Sequence, residues 1–294
     1  MSLKDRIKSR VIALDGVVRP WSLNSRSRAF AYEFLLFGLK QAWACLFGAA
    51  MLALIVATHF LWPAHALIAR YDALVLGAVT IQVLLLATRL ERWDEAAVIA
   101  IFHVVGTAME VFKTAHGSWI YPEPSLLRIG GVPLFSGFMY GAIGSYIARI
   151  LRLFEIRFIR WPPVWAPWAL AVASYVNFFS HHYVVDIRWG LYVASVLMFW
   201  RSWFTFTPDR ATRRMPVLLG LVLVALFIWV AENIGTFTSA WIYPSQRHGW
   251  TPVPIGKLGA WYLLILLSFV LVTIVHPPAA PGEGEPTNPL TTPG

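Results

Sequence analysis

Long apolar runs, separated by short polar or basic loops, fill most of this chain. A helix needs about 20 apolar residues to cross ~30 Å of hydrocarbon. Eight segments approach that length, at about 38–61, 72–89, 96–115, 132–150, 164–181, 186–204, 215–236 and 257–276. The second and fifth are short and carry Gln82 and Pro167. Lipid offers no partner to an open backbone, so all eight are expected to be α-helices. The pattern predicts an all-α fold: a polytopic transmembrane helical bundle of about eight spans.

Composition points the same way. Of 294 residues, 58% are hydrophobic and 13% charged, where a soluble domain carries ~25% charged residues. Too little polar surface remains to cover a soluble globule. The net charge of +9 would raise nucleic acid as a partner in a soluble protein. Here the basic residues fall in alternate loops instead. Lys4, Arg6, Lys8, Arg10, Arg19, Arg26 and Arg28 precede the first span; Arg89 and Arg92 follow the second; Arg152, Arg157 and Arg160 follow the fourth; Arg210, Arg213 and Arg214 follow the sixth. The intervening loops hold far fewer. By the positive-inside rule both termini are cytoplasmic. The expectation is a multi-pass protein of the bacterial inner (cell) membrane, in contact with membrane lipid and not with nucleic acid, its oligomeric state left open.

Residues 1–30 form a basic arm without the apolar core of a signal peptide. Leu3, Ile7, Val11, Leu14 and Val18 recur at helical spacing, which reads as a helix lying on an anionic membrane surface or, alternatively, as a disordered arm. Residues 277–294 are rich in Pro, Gly and Thr and read as a disordered tail. The single cysteine, Cys45, rules out an intrachain disulfide and reads as a small core residue.

One string occurs twice. Glu110, Thr114, Trp119, Ile120, Tyr121 and Pro122 recur as Glu232, Thr236, Trp241, Ile242, Tyr243 and Pro244, every position offset by 122. His59 with His181, Gly137 with Gly259, and Tyr140 with Tyr262 match at the same offset. Four spans per repeat predict two parallel four-helix repeats, 31–150 and 151–276, related by a pseudo-twofold along the membrane normal.

An ionisable side chain inside a spanning helix is costly and marks a functional site by default. Glu110 and Glu232 are therefore the candidate catalytic residues. A neutral carboxyl donates a proton and a charged one binds a cation, so the pair suits acid/base chemistry or cation binding. Thr114 and Thr236 lie four residues on, on the same helix face as each Glu, and are candidate orienting hydroxyls. Trp119, Tyr121, Trp241 and Tyr243 would form a substrate-binding aromatic wall. The plainer alternative is that each Glu accepts a bond from its own loop, for instance from the Trp119 or Trp241 indole, and staples it. Trp and Tyr also favour the membrane interface, and Pro ends a helix. Lys113, three residues after Glu110, stands within pairing reach; the second copy has Gly235 there.

His103, His116, His181 and His182, with Asp186, raise a metal site, but no HxxxH or HxxE pattern joins them; no metal is assigned and any cofactor stays unknown. Gly137, Gly141 and Gly144 point to close helix packing. P-loop, GxGxxG, GxSxG, HExxH and CxxC patterns are absent from the sequence.

The stretch Glu110–Arg149, with Glu-Val-Phe-Lys-Thr-Ala-His-Gly-Ser-Trp-Ile-Tyr-Pro-Glu and Gly-Val-Pro-Leu-Phe-Ser-Gly-Phe-Met-Tyr, and the stretch Glu232–Trp261 together resemble a family of bacterial integral membrane proteins, the domain of unknown function 817 group. The resemblance covers about residues 25–275 and implies the membrane class without a reaction. A weaker likeness, through Glu110, Trp119, Tyr121 and Gly131-Val132-Pro133-Leu134, is to membrane carotenoid hydratases and cyclases. Three functions stay open: an enzyme on a lipid or isoprenoid, a small-solute transporter or channel, and a non-catalytic membrane scaffold or sensor.

Overall fold

A computed structural model describes residues 24–63 and 65–275, together with Ser9, Gly16, Arg19 and Pro20. The periodic positions Leu3 to Val18 and the tail 277–294 lie outside the described residues. Nine α-helices are present among the described residues: α1 (Arg26–Ala44), α2 (Leu46–Leu61), α3 (Arg70–Ala87), α4 (Trp93–Ala115), α5 (Phe135–Leu153), α6 (Trp165–Ser180), α7 (Arg188–Phe199), α8 (Val217–Phe237) and α9 (Gly256–Val275).

All eight apolar segments lie on these helices. The first is broken: α1 and α2 meet at Cys45 with a 69° bend. Ser25 starts α1 by accepting the Arg28 amide at 3.2 Å, a side-chain N-cap. By length and composition, α3, α4 and α8 can each cross a membrane, and α1 with α2 makes a fourth span if the bent pair is one. α6 and α7 have 16 and 12 residues, fewer than a full crossing needs.

Strands interrupt the all-helical expectation. β1 (Arg128–Ile129) and β2 (Val132–Pro133) form a hairpin. Gly130 and Gly131 turn it with φ of +56° and +83°, the left-handed pair that a type I′ turn requires. β3 (Arg157–Ile159), β4 (Trp203–Phe206) and β5 (Arg213–Pro216) form an antiparallel sheet, with Phe158 opposite Phe204 and Phe204 opposite Met215. The sheet gathers the ends of α5 and α7 and the starts of α6 and α8 at one end of the bundle. Lys40 on α1 donates to the Thr207 carbonyl at 3.0 Å, and Arg213 pairs with Glu33, so α1 is fastened to the same sheet.

Each end of the bundle carries a buried polar lock. At the sheet end Arg149 is fully buried, 3.1 Å from Glu91 and 3.4 Å from Glu95. Gln82 and Ser145 also donate to Glu91, and Arg152 pairs with Glu95. At the opposite end, Asp72 on α3 accepts the Leu126 amide at 2.9 Å and the Leu127 amide at 2.7 Å. Arg70 pairs with Glu123 and donates to the Thr238 carbonyl at 3.0 Å. Between these locks α4 and α5 approach closely. A Cβ added at Gly137, Gly141 or Gly144 would run into His103, Ile99 or Phe102.

Candidate functional site

Both copies of the repeated string end their helix in the same way. After α4, the Gly117 amide donates to Thr114 O and the Ser118 amide to Lys113 O, both at 3.0 Å. After α8, the Ser239 amide donates to Thr236 O and the Ala240 amide to Gly235 O, both at 3.0 Å. This is the Schellman pattern, with Gly117 and Ser239 at positive φ. It reverses the chain so that Trp-Ile-Tyr runs back toward its own glutamate. The Thr of the motif thus serves through its carbonyl. Thr236 Oγ1 also donates to Asn233 O at 3.2 Å and accepts the Trp250 indole at 3.1 Å. Thr114 Oγ1 is buried without a hydrogen-bond partner.

Glu110 is buried, 5% exposed. It accepts three bonds: from Trp119 Nε1 and the Tyr121 hydroxyl, both at 2.6 Å, and from the Tyr140 hydroxyl on α5 at 2.9 Å. Glu232 is equally buried. It accepts from the Tyr243 hydroxyl and from Trp261 Nε1 on α9, the latter at 2.6 Å. Each carboxyl therefore meets the Tyr of its own loop and one aromatic of the next helix. Burial, and next the charge of the neighbouring Glu, pushes the Tyr121 and Tyr243 phenols well above their usual range. Both remain protonated donors.

The copies differ at Trp241. In the loop-staple alternative its indole would bond Glu232; Trp261 takes that place. The cause is Gly235, where the first copy has Lys113. The Trp241 ring lies against Gly235 so closely that a Cβ there would overlap it. Gly235→Ala is accordingly expected to cost about 1–3 kcal/mol through overpacking, read as a lower unfolding midpoint of the purified protein. A midpoint equal to the parent's would show that the ring moves freely.

Lys113 does not pair with Glu110 either. Three residues on is about 60° round the helix, and its side chain, 4% exposed, turns toward α6. Lys113 Nζ donates to His181 Nε2 at 3.2 Å and His182 Nε2 at 2.9 Å, and sits 4.3 Å from the Phe178 ring centroid. His181 in turn donates Nδ1–H to Asn177 O at 2.9 Å, which leaves Nε2 as an acceptor. Desolvation, then the charge of Lys113, holds His182 below the ordinary imidazole range. His116 stacks on His182 and bonds Tyr183 at 2.6 Å. Among the described residues no cluster of His, Cys, Asp and Glu has the closeness of a metal site.

The two loops also join each other. Ile120 N donates to Ile242 O and Ile242 N to Ile120 O, both at 3.0 Å. Trp119 meets Tyr243 edge to face at 6.1 Å, and Tyr140 lies 6.3 Å from Trp261. The two carboxyls thus share one aromatic cluster.

That cluster closes one end of a cavity of about 1010 Å³. Glu110, Glu232, Trp119, Tyr121, Trp241 and Tyr243 all line it; Thr114 and Thr236 do not. Its walls are mostly apolar. Lining residues run from Ser136 to Leu151 on α5 and from Gly256 to Val270 on α9, a length of about 20 Å at 1.5 Å per residue. Sequence reasoning missed Trp261 as a carboxyl ligand and noticed Tyr140 only as a repeat match. The usable signal was their spacing, 30 residues after Glu110 and 29 after Glu232.

A family model described as "Protein of unknown function (DUF817)" matches residues 33–269. "Uncharacterized protein YoaT" of Bacillus subtilis (strain 168) is 42% identical over 240 residues, covering 82% of this chain and 90% of that protein. No solved structure matches.

Proposed function

The chain belongs to the DUF817 family, and for this member we propose a multi-pass membrane enzyme that acts on a lipid or isoprenoid by carboxyl acid/base chemistry. One observation carries the reading: Glu110 and Glu232 lie at one end of a single long cavity with mostly apolar walls. At about 20 Å the cavity exceeds the ~15 Å half-thickness of a ~30 Å hydrocarbon core, so it accommodates one long apolar chain with its polar end at the carboxyls. A pocket of this kind, apolar with a few convergent polar groups, is the default form of a small-molecule site.

In this reading the bundle sits in the inner membrane with about eight helical crossings, short helices included. α8 supports it: Leu219, Val222, Val230 and Phe237 are exposed large apolar side chains outside the cavity lining, with Phe237 49% exposed. The basic loops put the sheet end and both termini in the cytoplasm. The carboxyls and aromatic loops then face the outer side. Two parallel four-helix repeats, 31–150 and 151–276, follow from the offset of 122. The reciprocal Ile120–Ile242 pairing supports that symmetry, because a twofold axis between two loops generates such a pair.

A second reading has its own observation. Trp119 holds Glu110 at 2.6 Å, as a loop staple would, and a scaffold needs nothing more. A deletion strain complemented with wild type, Glu110→Gln or Glu232→Gln, with membrane abundance checked, separates the two. The enzyme reading expects a lipid or pigment species that returns only with wild type. An unchanged extract with abundant variants sinks it; depleted variants with an unchanged extract favour the staple.

A further inference from the structure

The carboxyls occupy only part of the polar end of the cavity. Lys113, His181, Arg188 and Lys257 line the same space. Lys257 Nζ lies 4.4 Å from the Tyr243 ring centroid and 5.6 Å from that of Trp119. Lys113 is almost completely buried. Among the described residues neither lysine has a carboxylate within ion-pair distance. The nearby acids are engaged elsewhere. Glu232 accepts from Tyr243 and Trp261, and Asp186 is held by Asn177 and Arg188. Lys113 spends two of its three N–H donors on neutral imidazoles, which lend it no charge.

A buried ammonium without a counter-ion is costly. Buried Lys113, and partly buried Lys257 with only the longer-range attraction of Glu232, put two cations at the polar end of an apolar slot, a site for an anionic oxygen group. We propose that Lys113 and Lys257 bind the phosphate head of the molecule whose apolar chain fills the cavity. The assignment rests on the reading of the cavity as a substrate site, and adds the class of its head group. Arg188, tied to Asp186, and the imidazole of His181 border the same space and complete a polar rim. The neutral face of the head then lies toward Glu110 and Glu232, where bonds beside the phosphate are within reach of a carboxyl.

The test uses the full chain in phosphatidylcholine nanodiscs. Phosphatidic acid, diacylglycerol with the same tails, and inorganic phosphate are titrated separately, with affinity read from the ligand-dependent rise in unfolding midpoint. Phosphatidic acid is expected to bind at least tenfold more tightly than diacylglycerol. Lys257→Gln and, separately, Lys113→Gln each weaken phosphatidic acid about fivefold, the effect of one basic residue at an anionic lipid, and leave diacylglycerol unchanged. Lys257 is only partly buried, so its variant keeps the test decisive if Lys113→Gln fails to fold. Lysine-dependent binding of inorganic phosphate as tight as the lipid's would support the anion site and make a free phosphate its source. Equal affinity for the two lipids, or a phosphate preference unmoved in Lys257→Gln, overturns the proposal. That failure with a lipid profile still dependent on Glu110 leaves the enzyme reading standing. A phosphate preference with a Glu-independent profile does the reverse.

Discussion

Glu110→Ala is expected to destabilise the protein by about 4 kcal/mol, because one deletion strands three buried donors, each worth ~1–3 kcal/mol when unsatisfied. The donors are Trp119 Nε1 and the hydroxyls of Tyr121 and Tyr140. Two belong to the loop and one to α5, so the loss also detaches the loop from the bundle. Glu110→Gln keeps an acceptor oxygen in place, and its amide can donate to a phenol oxygen. It is expected to lose less than half as much. The pair of variants separates architecture from chemistry. If Glu110→Gln unfolds near the parent's midpoint yet fails to restore the altered lipid, the carboxyl proton matters. If it restores the lipid in full, Glu110 is a staple. A midpoint for Glu110→Ala within a degree or two of the parent's would contradict the three-donor account. Unfolding in detergent, with membrane abundance and the lipid profile beside it, reads all three outcomes.

Arg149→Met is expected to cost about 3–5 kcal/mol, the usual loss when one partner of a buried ionic group is removed. The guanidinium is fully buried against Glu91 and Glu95, and it donates to the Trp43 carbonyl at 3.2 Å. Without it, two carboxylates remain beside each other in a buried site, with Arg152 still on Glu95 alone. Glu91→Gln added to Arg149→Met should recover part of the loss, since it removes the orphaned charge. Non-additivity above ~0.5 kcal/mol in this double-mutant cycle is the signature of direct coupling. Strict additivity would mean that the lock is held by packing and not by charge.

The helices were legible in the sequence because apolar length and helical periodicity survive any tertiary context. Where a helix ends is a local matter too, and the repeated Glu-to-Trp spacing raised, as one alternative, a loop that returns to its glutamate. Three features were not legible. The break at Cys45 has no proline or glycine to signal it; α1 turns away to meet the sheet through Lys40 and Glu33. The sheet itself pairs Phe158 with Phe204 and Phe204 with Met215, contacts between strands too short to show a period. The exchange of Trp241 for Trp261 depends on a missing Cβ at Gly235, a steric fact of two helices and a loop at once. Similarly, sequence distance puts Lys113 within pairing reach of Glu110, and only the position of α6 shows why the two histidines take it.

The reciprocal Ile120–Ile242 bond and the three-stranded sheet sit at opposite ends of the cavity. One ties loop to loop; the other gathers four helix ends and holds α1. Each acts as a clasp, and together they leave little freedom to part the helices like a door at either mouth. A long-chain molecule would then pass sideways, between flanks of neighbouring helices, directly from the plane of the bilayer. Traffic of that kind never crosses water, so its rate would answer to how fluid and how thick the surrounding lipid is.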